Sequence, residues 1–313
     1  MLLEKVGKYF PEDMAELMRR CGRDPEEIRI RAGQRVSLLY GDEEVMLERV
    51  AGREEIGEIV SSIASHSIAS YMDDIRQGFF TAETGVRVGL GGKAVCENGA
   101  IRQIRDFTSI NIRMPREMKG ICRQLLPYLL EDGKMVHTLI VSAPQNGKTT
   151  LLRDLVRAIS TGDGLSPMKC TVVDERSEIA GGYAFDLGER CDVLMGCPKS
   201  LGISIALRTL SPQVIATDEI GDDRELEAIN EAVNSGVIVL ATAHGDSMER
   251  LKERLFFRRL YEGGVIRRTV LLSATLGRGT AEQVYDAEGA PLLAKPFRME
   301  ASEGGGNIKW WEK

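Results

Sequence analysis

The sequence predicts an α/β chain in which a mainly parallel, P-loop-bearing sheet domain over residues 126–313 follows a smaller α+β domain over residues 1–125. Three observations carry that prediction. Ser142-Ala-Pro-Gln-Asn-Gly-Lys-Thr149 stands between an apolar strand-type run and a helix-type run. From residue 135 onward, short apolar runs alternate with helical stretches. Before that, helices precede a glycine-broken, hairpin-like region.

In the first domain, Pro11-Glu-Asp opens a helix that Cys21-Gly22 stops. Glu27-Ile-Arg-Ile-Arg31 alternates charged and apolar residues, and Val36-Ser-Leu-Leu-Tyr40 follows a Gly-Gln turn, so both read as strands. Residues 53–71 read as one helix, with Ile56, Ile59, Ile63 and Ile68 near helical spacing. From Gly78 to Arg113 the pattern is strand-like, and Asn98-Gly99 predicts a tight hairpin. In the second domain strands are expected at 137–141, 169–173, 214–217 and 237–243, and helices at 149–159, 202–210 and 225–234. Apolar strands alternating with helices mean a parallel sheet covered on both faces. Residues 270–274 and 281–286 read as a hairpin or an added edge strand. Gly304-Gly-Gly306 with Trp310-Trp311 reads as a frayed end or a docking tag.

The chain has 313 residues, 43% hydrophobic and 28% charged, which is room for two cores of ordinary globular composition. A net charge of −6 argues against general coating of nucleic acid or acidic membrane, though not against a local basic patch. No run approaches the ~18 apolar residues a membrane span needs, and the N-terminus lacks a secretory pattern. A cytoplasmic location is therefore expected. None of the six cysteines forms a C-x-x-C pair, so they read as buried reduced thiols. Arg102, Arg105, Arg113, Arg116, Lys119 and Arg123 outnumber Asp106 and Glu117. That cluster is either a solvated face or a set of cations for phosphates, on a neighbouring subunit's nucleotide or on a polynucleotide.

The chemistry starts at the P-loop. Ser142, Ala143, Pro144, Gln145, Asn146, Gly147, Lys148, Thr149 and Thr150 are the candidate nucleotide-binding residues, with Ser142 departing from the motif's first glycine. Backbone N–H groups and the helix N-terminus there converge on phosphate oxygens. Lys148 is placed for the β- and γ-phosphates and Thr149 for Mg²⁺. Val214-Ile-Ala-Thr-Asp218-Glu219 ends an apolar strand in two carboxylates, where ligand groups of such sheets sit. Asp218 is the candidate second metal-binding residue, and Glu219 the candidate base for an attacking water, which favours hydrolysis over transfer. Asp174-Glu175 ends another strand in the same way, so Glu175 is a second water-positioning candidate and the choice between the pairs stays open. Arg176 and Glu178 read equally well as surface ion pairs. His244, after an apolar strand, is a candidate γ-phosphate sensor. Arg208 ends a helix and either caps it or reaches a phosphate.

The order of P-loop, Asp174-Glu175, Asp218-Glu219 and His244 resembles that of the secretion-type ATPases, the motors of type II and type IV secretion and of type IV pili. Longer strings are similar to the stage III sporulation protein AA family. These are residues 142–155, Val173-Asp-Glu-Arg-Ser-Glu-Ile-Ala-Gly181, Cys191-Asp-Val-Leu, Cys197-Pro-Lys, Leu210-Ser-Pro-Gln-Val-Ile, Asp218-Glu-Ile-Gly221 and Ala241-Thr-Ala-His-Gly245. Glu27-Ile-Arg-Ile-Arg31, Gly85-Val-Arg-Val-Gly89, Arg105-Asp and Asn111-Ile-Arg113 extend the likeness into the first domain, and Ser142 is usual in that family. The resemblance implies a RecA-like ATPase domain using ATP and Mg²⁺, assembled with copies of itself into a ring, as a hexamer. It further implies a place at the mother-cell side of the forespore membrane, with membrane proteins of a sporulation channel as partners. In such rings the N-terminal domain supplies arginines to an adjacent nucleotide; Arg87, Arg105 and Arg113 are the candidates by pattern. A nucleic-acid-associated ATPase and a small-molecule kinase are the competing readings. Acidic charge and 5% aromatic residues count against the first, and Glu219 beside Asp218 against the second.

Overall fold

Alternation in Glu27–Arg31 settles the first sheet. Strand β1 (Glu27–Arg31) buries Ile28 and Ile30 completely and turns its charged residues to the other face. With β2 (Arg35–Tyr40), β3 (Glu43–Val50), β4 (Phe79–Thr81), β5 (Arg87–Glu97) and β6 (Ala100–Arg113) it forms an antiparallel sheet in the order β3-β2-β1-β6-β5-β4. Helices α1 (Glu12–Arg20) and α2 (Arg53–Ile63) bring Met14, Met18, Ile56, Ile59 and Ile63 into one core with Leu38, Ile110 and Ile112. A short helix, α3 (Met72–Arg76), precedes β4.

The computed structural model describes all residues except 1–5, 42, 77, 83–84, 98, 115–116, 182–184 and 302–313. It comprises two compact units, carried by Met1–Arg116 and by Glu117–Ala180 with Phe185–Lys313. Arg116 of the basic cluster, Asn98 of the expected hairpin and the Trp310-Trp311 tail lie outside the described residues.

The second unit opens with a two-strand ribbon, β7 (Leu130–Glu131) and β8 (Lys134–Met135). Its main sheet contains β9 (Thr138–Ser142), β10 (Cys170–Asp174), β11 (Cys191–Met195), β12 (Val214–Thr217), β13 (Ile238–His244), β14 (Arg268–Ser273), β15 (Thr280–Tyr285) and β16 (Phe297–Arg298). The spatial order is β11-β10-β12-β13-β9-β14-β15-β16; the strands from β11 through β14 run parallel, and β15 and β16 turn antiparallel. On one face α4 (Lys148–Thr161) packs Leu151, Leu155 and Ile159 with Ile140, Val172, Ala216 and Leu240. On the other, α5 (Lys199–Thr209), α6 (Asp223–Asn234), α7 (Met248–Glu253) and α8 (Leu255–Glu262) bring Ile203, Ile229, Leu251 and Phe257 against Leu139, Val141, Ile215 and Val239. Burial on both faces is why these strands read as unbroken apolar runs.

Several elements depart from the expectation. The helix starting at Arg53 ends at Ile63, because Ser65 and His66 adopt left-handed backbone (φ 49° and 59°) and Ile68 begins a separate 3₁₀ turn. Strands β3 and β11 were not foreseen: both carry half-exposed, mixed sequences without a clean apolar run. The six thiols are free as expected, but only Cys122 and Cys170 are buried and Cys96 is exposed.

Residues 117–125 belong with the second unit, and Asp154 on α4 holds them there. This carboxylate, 3% exposed, accepts the backbone N–H groups of Gly120 and Cys122 (both 2.9 Å) and Arg157 Nε (2.9 Å). Asp154→Ala leaves those buried donors without an acceptor. We expect it to destabilise the fold by about 3 kcal/mol, read as a lower urea midpoint.

Candidate functional site

Strand β9, buried along its whole length, delivers the chain to the carboxyl edge of the sheet at Ser142. Gln145 (φ 64°) and Gly147 (φ 93°) then turn it into α4, which begins at Lys148. Glycine is needed at 147, where the backbone is left-handed. It is not needed at 142: Ser142 has no positive φ and is a fully buried strand-end residue whose Oγ donates to the Ala143 carbonyl (2.6 Å). The departure from the general motif thus has a local explanation. Ala143, Pro144 and Gln145 are exposed at the loop tip, while Asn146, Thr149 and Thr150 are half-buried.

Strand order brings three distant segments to this loop. Because β13 lies beside β9, His244 sits in register with Ser142. Lys148 Nζ is 3.4 Å from the Ser142 carbonyl and 3.4 Å from His244 Nδ1. Burial pulls this ammonium below lysine's ordinary value, opposed by the charges of Asp218, Glu219 and Glu178. With Nδ1 accepting from Lys148, the imidazole carries its proton on Nε2, which donates to Glu219 Oε1 at 2.6 Å. Glu219 Oε2 accepts from Arg176 (2.9 Å).

Asp218 follows β12 and accepts Thr149 Oγ1 at 2.7 Å, along with the hydroxyl of Thr242 from β13. Glu219 takes up left-handed backbone (φ 51°), unusual for a residue with a side chain. Its surroundings enforce it: the Glu219 N–H donates to Thr242 Oγ1 (2.9 Å) and its carbonyl accepts Lys199 Nζ (2.8 Å). Such enforced strain clusters at functional positions. Lys199 also pairs with Glu225 (3.0 Å) and, more loosely, with Glu175 (3.5 Å).

The second acid pair is differently employed. Asp174, 2% exposed, accepts the backbone N–H groups of Glu178, Ile179 and Ala180 at 2.8 to 3.0 Å, which curls its loop back on itself. Burial nonetheless raises its pKa. Glu175 is 40% exposed with Lys199 as its ion-pair partner. Glu178 is pushed up by burial and by the nearby charges of Asp218 and Glu219. Arg153 of α4 ties the same loop to the P-loop helix: Nε donates to the Ile179 carbonyl (2.7 Å), and its guanidinium lies over the Phe185 ring. Burial pulls this guanidinium down to about 10.

Thr149 hydroxyl and Asp218 carboxylate are hard oxygen donors side by side at a helix N-terminus, a donor set that fits Mg²⁺. Among the described residues no group of His, Cys, Asp and Glu forms a metal cage of its own.

Other predicted residues lie elsewhere. Helix α5 starts at the carboxyl edge, where Lys199 reaches Glu219, and ends at Thr209 toward the opposite edge. Arg208 is therefore not brought to the P-loop of its own chain; its Nε donates one turn back to the Ser204 carbonyl of its own helix (3.1 Å). Arg87 and Arg113 are cross-strand neighbours on the outer face of the first sheet. The Arg87 guanidinium lies 3.8 Å from the Phe79 ring centroid, and Arg113 Nε lies 3.5 Å from Glu27. Arg105 is exposed opposite Lys93. Arg29 and Arg31 share the outer face with Arg113; the alternation in β1 was the signal for them. Within the basic cluster, Arg102 pairs with Glu97, Lys119 with Asp186 and Arg123 with Asp163. The sequence reading missed Thr242, Lys199 and Arg153. Only Thr242, a hydroxyl inside an apolar strand run, left a legible trace.

No helix among the described residues is long and apolar enough to cross a membrane. Two solved structures share the fold. It matches the ATPase DotB of Legionella pneumophila with a TM-score of 0.54 at 18% identity, over 84% of this chain and 76% of that one. It matches the pilus retraction motor PilT with a TM-score of 0.57 at 14% identity, over 83% and 76%. At such identities the likeness establishes a RecA-like fold for the sheet that bears the P-loop. Sequence similarity is more specific. Stage III sporulation protein AA of Bacillus subtilis (strain 168) is 38% identical over 299 residues, spanning 93% of this chain and 97% of that protein. The family model described as "Sporulation stage III, protein AA" matches residues 12–292. The chain belongs to the sporulation stage III protein AA family.

Proposed function

We propose that this protein is an oligomeric secretion-type ATPase that hydrolyses ATP to energise or assemble a channel between mother cell and forespore during endospore formation. The observation that carries the reading is the connected set Thr149–Asp218 and Lys148–His244–Glu219 at the end of one parallel sheet. The loop N–H groups hold the phosphates, and Lys148 neutralises charge on the transferring γ-phosphoryl group. Thr149 and Asp218 would hold Mg²⁺, which when bound would screen the phosphate oxygens. Glu219 accepts the proton of the water whose oxygen attacks the γ-phosphorus, and ADP leaves with the broken bond's electron pair. Both Glu219 oxygens are engaged, by His244 and Arg176, so one of these must release it before it can act. His244 is placed to do so, because it touches Lys148 and Glu219 together. Glu175 remains a secondary acid, held toward Lys199.

The protein then works at the mother-cell side of the forespore membrane, as a ring of its own copies and with channel membrane proteins. In that ring Arg87, Arg105 and Arg113 serve the neighbour's nucleotide. Arginine in trans accelerates phosphoryl transfer by ~10³–10⁵. The ATPase rate per subunit should therefore rise with protein concentration, in step with assembly measured by light scattering. A variant with all three arginines changed to alanine should assemble yet hydrolyse at least roughly 10²-fold more slowly. A fully active monomer would overturn the ring reading.

A further inference from the structure

The P-loop has two flanks. On the β13 side stand His244, Glu219 and Asp218, so the phosphate end of a nucleotide belongs there. On the other side β14 runs parallel to β9 and delivers its own following loop to the same carboxyl edge. That loop, residues 274–279, comes up against the P-loop: a Cβ built on Gly147 would meet the Gly279 Cα at 3.8 Å.

The loop is firmly braced. Thr280 Oγ1 donates to the Gly277 carbonyl (2.7 Å) and accepts the Leu276 N–H (3.2 Å). Glu282 accepts Ser273 and Thr275 hydroxyls at 2.6 and 2.7 Å, and the Met299 N–H donates to the Gly279 carbonyl (3.0 Å). Yet on this fixed frame Leu276 is 54% exposed and Arg278 is exposed. Among the described residues, the Arg278 side chain has no hydrogen bond or ion pair, and neither has that of Arg298, whose guanidinium packs on Gly277. Every other arginine of the second unit has a named acceptor, including exposed ones such as Arg208, Arg250 and Arg254. The two arginines of this unit without an internal partner thus stand on, or packed against, the one loop that borders the other flank of the P-loop.

We propose that residues 274–279 form the nucleoside wall of this site, with Arg278 the residue that contacts the base and ribose of a bound nucleotide. The inference rests on the ATP-binding reading above and extends it from the phosphates to the rest of the ligand. A guanidinium against a base face offers a cation–π contact that no inorganic polyphosphate can use. Arg278 is therefore a binding residue that separates nucleotides from free phosphate chains.

Calorimetric titration of the full chain with Mg·ATP and with Mg·tripolyphosphate tests this. Arg278→Ala should weaken ATP binding by roughly three- to thirty-fold and leave tripolyphosphate binding unchanged, which also reports an intact P-loop fold. Arg278→Lys should recover part of the loss. If Arg278→Ala binds ATP as tightly as the wild type, or loses both ligands equally, the nucleoside wall is refuted while the ATPase reading survives. If the wild type binds neither ligand, the ATPase reading itself falls.

Discussion

Lys148→Ala should abolish measurable ATP hydrolysis, a loss of at least roughly 10²–10³-fold, because it removes a charge donor from the transferring phosphoryl group. Its ammonium is buried between the Ser142 carbonyl and His244 Nδ1, which hold it at the P-loop. Burial lowers its pKa, and the neighbouring carboxylates oppose that shift. A further γ-phosphate would add to the opposition and favour the charged form. The substitution also frees His244 from its Nδ1 partner, so the Glu219 contact should loosen. Phosphate release and nucleotide binding, measured side by side, check this. Retention of turnover within tenfold of the wild type would remove the P-loop from the mechanism.

Glu219→Gln should stop turnover and spare ATP binding. The amide keeps the size of the side chain and can still accept from His244 Nε2, but it cannot take a proton from water. Loss of a general base costs roughly 10²–10⁴ in rate. The left-handed backbone at 219 is held by Thr242 and Lys199 and makes no use of the carboxylate, so the loop should persist. Glu175→Gln is the necessary comparison, and we expect only a small effect, since Glu175 is partly exposed and pairs loosely with Lys199. The reverse outcome, full turnover in Glu219→Gln and none in Glu175→Gln, would show that the two acid pairs have been assigned in the wrong order.

That comparison marks the limit of what could be read along the chain. Asp174-Glu175 and Asp218-Glu219 are the same local signal, two acids closing an apolar strand. What separates them is the path of the following residues. After Asp174 the loop folds back and donates three N–H groups to its carboxylate. After Asp218 the chain is held open by Thr242, and the carboxylate meets Thr149 instead. Lys199 and Arg153 were invisible for the same reason: each acts on a loop far from it in sequence. Helix α2 was overextended because Ile68 keeps the apolar spacing, while the stop lies in the backbone at Ser65 and His66.

The sequence by itself determined what short-range physics controls. Period two buried Ile28 and Ile30, unbroken apolar runs made the strands of a parallel sheet, and Gly147-Lys148-Thr149 made a strand–loop–helix turn suited to phosphate. Which acid faces that turn, which histidine touches its lysine, and which loop closes its other flank were decided only by strand order. Placing β13 and β14 on either side of β9 brings His244 and Gly279 to the same loop from opposite directions. Parallel neighbours are joined by long crossovers, so their pairing is set by how whole helices pack and leaves no local mark in the residues that finally meet.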